Sequence, residues 1–218
     1  MVSNLTLKST SFLPSVLGCL PFVVAAVAVA AQPAAAQEVP VPETFTATTV
    51  NIDPAEEGLR FSVLRWSSEA DREAVVDVLT SAAAEAGGTD GELADLLELP
   101  SLGHLWLDSS SVGYSLKYAR RVSLAGGGEN LTFVTGRRVG TFGRASWMPD
   151  GAPADAATRP FTVIELRIDH MNEGEGKLSA AAEVAIDANR SLVALQDYAA
   201  APVVLESVTR QPLPYWAR

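Results

Sequence analysis

The chain has 218 residues, of which 26 are acidic and 16 basic, and its formal net charge at neutral pH is −10. This acidic balance argues against nucleic acids and anionic membranes as general partners, because like charges repel. The single cysteine, Cys19, lies in the leading segment, so the rest of the chain has no disulfide, no thiolate nucleophile and no cysteine-ligated metal.

Residues 1–36 predict a secretory signal peptide. Lys8 is the one charge ahead of a largely apolar run from Val16 to Ala31, and the small residues Ala34–Ala36 follow. This order is typical of a cleavable signal, and the run is short for a membrane span. We therefore expect cleavage after residue 36, export to the periplasm or beyond, and no membrane span afterwards. Lipidation at Cys19 and an uncleaved anchor are the alternatives.

The sequence after residue 36 predicts a Pro-rich leader at residues 37–44 and one β-rich domain at residues 45–218. Alternating apolar residues and turn residues between them indicate short strands. The predicted strands are Phe45–Ile52, Leu59–Trp66, Gly103–Leu107, Val112–Leu124, Leu131–Thr135, Phe161–His170, Lys177–Asp187, Leu192–Tyr198 and Val203–Arg210, and a turn is expected at Asn172–Gly176.

Two helices are predicted between the second and third strands. Apolar residues recur at helical spacing over residues 69–86, after a capping-box signature formed by Ser68 and Asp71. Thr89 and Glu92 repeat the capping pattern before a short helix near residues 90–97. Many short strands with one helical insertion predict an α+β, mostly β fold, an antiparallel β-sandwich or open barrel.

Motifs for catalysis and metal binding are weak. The two histidines, His104 and His170, have no spacing typical of a zinc site, and the acidic residues of 169–176 lack the spacing of an EF-hand. No serine lies in a nucleophile elbow. We therefore assign no catalytic residue, no metal and no cofactor. A hydrolase site assembled from distant residues, with one histidine as the proton-transfer group, stays open as an alternative.

The middle third of the chain is cationic. Residues 112–148 carry six basic side chains and one acidic, whereas residues 38–108 carry 15 acidic and three basic. A regular strand places Tyr114, Tyr118 and Arg120 on one face and Lys117 and Arg121 on the other. Guanidinium and tyrosine hydroxyl groups are suited to a carboxylate, phosphate or sulfate. The candidate binding residues are Tyr114, Lys117, Tyr118, Arg120, Arg121, Arg137 and Arg138. Alternatively, these arginines pair with acidic residues and serve only the fold.

Four segments resemble a family of exported bacterial β-rich proteins without assigned function. They are Ser-Val-Gly-Tyr-Ser-Leu-Lys-Tyr-Ala-Arg at 111–120, Phe-Thr-Val-Ile-Glu-Leu at 161–166, Gly-Glu-Gly-Lys at 174–177 and Asp-Tyr-Ala-Ala-Ala-Pro-Val-Val-Leu at 197–205. The resemblance extends from about Phe45 onward. It implies a shared fold and export, and it transfers no catalytic residue.

These observations favour an exported, non-enzymatic binding or interaction module that recognises an anionic group at the basic patch. Its expected partner is an anionic small molecule or another envelope protein, and nucleic acid is not expected. The hydrolase described above and a structural protein of the cell envelope are the alternative functions.

Overall fold

The computed structural model describes residues 42–52, 56–84, 90–140, 161–179, 183–187, 192–196 and 202–212. The predicted signal peptide and Cys19 lie outside the described residues, so cleavage and export stay predictions. Residues 43 and 44, which we assigned to the leader, belong to the first strand instead. Within the described residues, no helix is long and apolar enough to span a membrane.

Ten strands and two helices make up the described part of the chain. The strands are β1 (Glu43–Thr49), β2 (Gly58–Val63), β3 (Gly103–Leu107), β4 (Tyr114–Ser123), β5 (Glu129–Thr135), β6 (Val163–Ile168), β7 (Glu173–Ser179), β8 (Glu183–Asp187), β9 (Leu192–Gln196) and β10 (Val203–Arg210). The helices are α1 (Glu69–Ala84) and α2 (Asp90–Glu98), and both lie between β2 and β3.

Eight of the strands close into an antiparallel barrel. Strands β1 to β7 pair in chain order, and β10 pairs with both β7 and β1 to complete the circle, while β8 and β9 form a separate two-stranded sheet. The prediction of a mostly β, antiparallel fold with two early helices is confirmed. The sheet is neither a sandwich nor an open barrel, because β1 pairs with β10, as in Phe45 opposite Arg210.

The barrel interior is filled by side chains. Away from the β-bulges, alternate residues of the barrel strands point inward, and an eight-stranded barrel is just wide enough for such side chains to fill it. The buried inward-facing residues include Phe45, Ala47, Leu59, Phe61, Val63, Leu105, Leu107, Leu116, Leu131, Phe133, Ile164, Leu166, Ile168, Leu178, Val203, Leu205 and Val208, each at most 5 % exposed. A ligand is therefore expected on the outside or at an end of the barrel.

A second, smaller core joins the helices to the outer face of the barrel. Val75 and Leu79 of α1 and Leu96 of α2 are buried with Tyr118, and the outward-facing Val134 and Val163 belong to the same cluster. The sequence of α1 alone is only modestly amphipathic. Its packing against the barrel therefore matters, because helices in proteins owe most of their stability to tertiary contacts.

Helix α1 begins at the predicted capping box. The Ser68 amide donates to Asp71 Oδ2 at 2.8 Å, and the Asp71 amide donates to Ser68 Oγ at 3.2 Å. Arg65 adds a hydrogen bond to Asp71 Oδ1 at 2.9 Å. Hydrogen bonding from Arg65, followed by that from Ser68, holds the pKa of Asp71 well below its usual range. The capping partner of α2, Thr89, lies outside the described residues.

Strand β7 differs from the prediction in two ways. Asn172 lies in the turn as predicted, but residues 173–176 of the predicted turn are the start of β7. The predicted single strand at 177–187 is divided between β7 and β8, which belong to different sheets. In the sequence, Gly174 and Gly176 are typical of a turn. Gly174 lies opposite Ile168 and Val208, and a Cβ there would overlap the Arg167 carbonyl oxygen. Glycine is needed here because β6 and β7 approach closely.

Candidate functional site

A β-bulge in β4 changes which candidate residues share a face. Leu116 lies opposite Thr135 and Tyr118 opposite Val134, so Lys117 is an extra residue in the strand. The alternation shifts by one position at a bulge. Tyr118 therefore faces the helices outside the barrel, whereas Tyr114 belongs to the inner core. Our assignment of both tyrosines to one face is wrong.

Both tyrosines are buried in the two cores. Tyr114 is 2 % exposed, and its hydroxyl accepts a hydrogen bond from the Gly140 amide at 3.0 Å. Tyr118 is fully buried beneath the helices. Both side chains thus take part in packing, and the Tyr114 hydroxyl is engaged by the main chain.

Lys117 interacts with the end of helix α2. Its Nζ donates to the Leu97 carbonyl oxygen at 2.9 Å and to the Leu99 carbonyl oxygen at 2.5 Å. Burial lowers the pKa of this amine. The last carbonyl groups of a helix lack partners within the helix, and a lysine satisfies them well. The bulge therefore supplies a cation that stabilises the end of α2.

The two arginines that follow β5 lie at the other end of the barrel from Arg121. Arg121 is opposite Leu131 near the start of β5, whereas Arg137 and Arg138 come after its last residue, Thr135. Arg137 is exposed, and burial lowers the pKa of the partly buried Arg138. The seven predicted residues therefore do not form a single site.

Three of them, Tyr118, Arg120 and Arg121, line one groove between β4 and the start of α1. We call this the arginine groove; its volume is about 410 Å³, and it is lined by Trp66, Ser67, Ser68, Glu69, Arg72, Tyr118, Ala119, Arg120 and Arg121. Three arginines and one glutamate give it a positive balance. Arg72 was missed from the sequence because it lies in an acidic helical segment, far from the cationic third of the chain.

The groove holds its charges in defined positions. The Arg72 side chain is only 10 % exposed and forms an ion pair with Glu69, whose side chain is 72 % exposed. Hydrogen bonding from Arg72 lowers the pKa of Glu69, and the charge of Arg120 lowers it further. Glu69 is thus the carboxylate that accepts the hydrogen bonds of the Arg72 guanidinium in this groove. Arg121 lies over the Trp66 ring, 4.8 Å from its centroid.

The barrel end beside this groove carries a ring of charges. We call this end the barrel mouth, and we call Glu43, Arg121, Glu129 and Arg210 the mouth ring. Arg121 Nη1 lies 3.1 Å from Glu43 Oε1, and Arg210 forms an ion pair with Glu129. Each pair crosses the barrel, since β1 and β4, or β10 and β5, are separated by two strands in one direction around the sheet and by four in the other.

The histidines offer little support for a hydrolase. His104 lies on β3, with its ring centroid 5.2 Å from that of Trp106, and His170 is exposed in the β6–β7 turn. In the part of the chain that the structure describes, neither histidine hydrogen-bonds to a serine or a carboxylate.

The acidic residues near His170 shape a turn. Asp169 Oδ1 accepts hydrogen bonds from the amides of Met171 at 2.7 Å and Glu173 at 3.1 Å. The hydrogen bond from the Glu173 amide is the main reason that the pKa of Asp169 is lowered. The described residues contain no group of three His, Cys, Asp or Glu side chains that could hold a metal ion.

Comparisons of the chain with protein-family models, with curated proteins and with solved structures found no match.

Proposed function

We propose that this chain is an exported, non-catalytic binding barrel whose arginine groove receives an anionic group of a small molecule or of another envelope protein. One observation carries the proposal: Arg72, Arg120 and Arg121 line a single groove of about 410 Å³ on a protein with a net charge of −10. The predicted signal and the resemblance to exported proteins support the compartment.

The groove suits an anion because part of it is fixed before a ligand arrives. Packing restrains Arg72, and stacking on Trp66 restrains Arg121, so less side-chain entropy is lost on binding. A planar guanidinium can donate two parallel hydrogen bonds to a carboxylate, sulfate or phosphate. Glu69 is exposed and can turn toward solvent as the ligand takes its place beside Arg72 and Arg120.

Calorimetric titration with inorganic phosphate, sulfate, succinate and citrate tests the groove. We expect Arg120→Gln to weaken binding by about tenfold, the usual effect of losing one charge-assisted hydrogen bond. Glu69→Gln removes the internal competitor and is expected to strengthen binding. Arg137→Gln, an exposed arginine at the other end of the barrel, is the matched control. Equal affinities in the parent, Arg120→Gln and Glu69→Gln, or no binding of any of these anions, would overturn the proposal.

Export is tested separately by mass spectrometry of the protein in its native host. We expect the mature chain to begin at Gln37 and to be found outside the cytoplasm. A full-length chain in the cytoplasm would contradict this part of the proposal and leave the groove measurements unaffected.

A further inference from the structure

The mouth ring is held rigidly by groups outside it. Arg210 lies over the Phe45 ring, 5.3 Å from its centroid, and donates to Asn172 Oδ1 at 3.3 Å. Glu43 accepts a hydrogen bond from Trp66 Nε1 at 2.8 Å. Asn172 itself has a positive φ of 67°, a conformation that asparagine tolerates better than most residues. The aromatic rings of Phe45 and Trp66 and the turn residue Asn172 together hold the guanidinium and carboxylate groups in place before any ligand binds.

The arginines of the ring have donors that the ring does not satisfy. Arg210 Nε is buried, lies 3.8 Å from Glu43 Oε2, and has no hydrogen-bond acceptor among the described residues. Arg121 Nε lies 3.9 Å from Glu129 Oε1, which is also beyond hydrogen-bond distance. A buried polar group without a partner is uncommon and calls for an explanation. The ring pairs thus leave part of the hydrogen-bonding capacity of both guanidinium groups unused.

A concave space lies directly over the ring. This mouth cavity, with a volume of about 630 Å³, is lined by ring members Glu43, Arg121 and Arg210 and by Glu173. Its other walls are polar or apolar but uncharged: Thr209, Gln211, Asn172, Met171 and Pro212. The space is large enough for a compact organic molecule, and mouths of small barrels are common ligand sites.

The charges of the cavity select the class of ligand. A simple anion would meet the two guanidinium groups but also Glu43, Glu173 and, just below, Glu129. A simple cation would meet both arginines. Only a molecule with charges of both signs places each of its charges beside an opposite one, because the protein charges alternate across the barrel. The arginine groove, with three arginines and one glutamate, lacks this balance.

We propose that the mouth cavity binds a compact zwitterion of the α-amino-acid class with an apolar side chain. Its carboxylate accepts hydrogen bonds from the terminal guanidinium nitrogens of Arg210 and Arg121. Its ammonium donates to Glu43 and Glu173, and its side chain contacts Met171 and Pro212. The ring pairs exchange partners while the net charge of the site stays the same.

Three related probes test the contribution of each ligand charge while the apolar side chain stays the same. L-leucine carries both charges, 4-methylpentanoate is the same skeleton without the ammonium, and 3-methylbutylamine is the same skeleton without the carboxylate. We expect calorimetry on the full chain to detect leucine and to show weaker binding of either single-charge analogue by about tenfold or more, as expected when one charged partner is removed. A thermal-shift panel of the standard amino acids and glycine betaine extends the test to other zwitterions.

Variants on either side of the ring complete the test. Arg210→Gln and Glu43→Gln are each expected to reduce leucine binding by about tenfold or more, whereas Arg167→Gln, on the outer face of β6, serves as the matched control. Circular dichroism checks that each variant is folded, and Glu173→Gln, at the exposed rim, provides a milder variant. The proposal is overturned if no zwitterion in the panel binds, if the single-charge analogues bind as well, or if folded ring variants bind like the parent.

The arginine groove and the mouth cavity share Arg121, so the two sites are distinguished by residues that line only one of them. Arg120→Gln is expected to leave leucine binding unchanged, and Arg210→Gln is expected to leave binding of the anions in the groove unchanged. Failure of one site therefore does not decide the other.

Discussion

The ammonium group of Lys117 lies 2.9 Å from the carbonyl oxygen of Leu97, at the last turn of α2. The contact joins the bulge of the longest strand to the helix that packs over it. Lys117, which the sequence predicts to be a ligand contact, thus helps to attach α2 to the barrel.

Replacing Lys117 with methionine keeps most of the apolar stem and removes the charged donor. We expect the free energy of unfolding to fall by about 1–2 kcal/mol, because two helix-end carbonyl groups lose a charged partner while the penalty for burying the ammonium also disappears. Urea denaturation followed by circular dichroism measures the change.

Lys177→Met is the matched control for this substitution. Lys177 is partly exposed and pairs with Glu165 at 2.9 Å, so its loss is expected to change stability by less than about 1 kcal/mol. A Lys117→Met variant that keeps its stability but no longer binds anions would show that Lys117 is a ligand contact after all.

The capping box of α1 predicts a dependence of stability on pH. The folded pKa of Asp71 lies below its ordinary value of 3.8, so the ionised carboxylate stabilises the folded state. This stabilisation is fully present above the ordinary pKa and is lost as the pH falls through it toward the folded pKa. We expect Asp71→Asn to lower stability at neutral pH by about 1 kcal/mol, as for other caps.

The measurement is the difference in unfolding free energy between the parent and Asp71→Asn across pH 7 to about pH 3. The difference is expected to stay constant down to about pH 5 and to shrink below about pH 4. Asp77→Asn, later in the same helix, serves as the control. A difference that does not change with pH would contradict the role of the ionised carboxylate.

Gly174 is predicted to be needed for the close pairing of β6 and β7. Ala at this position would place a methyl group against the Arg167 carbonyl oxygen and force β6 and β7 apart. We expect Gly174→Ala to reduce stability by about 1–3 kcal/mol, the range for overpacked sites. Glu175→Ala, at the adjacent exposed position, is expected to stay within about 0.5 kcal/mol of the parent. Equal stability of the two variants in thermal unfolding would refute the close approach.

Phe133 lies at the centre of the inner core. Its ring centroid is 5.4 Å from that of Phe61, 6.5 Å from that of Phe45 and 6.2 Å from that of Trp66. We expect Phe133→Ala to lower the unfolding free energy by about 3–5 kcal/mol, because it opens a cavity in a packed interior. Denaturant unfolding provides the measurement.

A milder variant covers the case in which Phe133→Ala does not fold. Phe133→Leu is expected to lose less unfolding free energy than Phe133→Ala. Val112→Ala, at a largely exposed position, serves as the control and is expected to change stability by less than about 0.5 kcal/mol. A well-folded Phe133→Ala variant with the stability of the parent would mean that the interior is not filled as described.

The position of β4 was predictable from the sequence, but the faces of its residues were not. An alternating pattern assumes that every residue advances the strand by one pairing position. The bulge at Lys117 breaks that assumption, and its local sequence, Leu116-Lys117-Tyr118, still alternates apolar and polar groups. A similar ambiguity misled the prediction at Gly174, since glycine is common both in turns and where two strands approach closely.

What the sequence by itself determined is local: the approximate positions of both helices and of most strands, the capping of α1 by Ser68 and Asp71, and the uneven distribution of charge. These features depend on residues within a few positions of one another. The tertiary structure alone decided the closure of β1 on β10, the groove that joins Arg72 to Arg120, and the mouth ring. Its cross-barrel pairs join Arg121 to Glu43, 78 positions apart, and Arg210 to Glu129, 81 positions apart. Such contacts depend on how the whole sheet curves and closes, and no local pattern of residue types encodes that geometry.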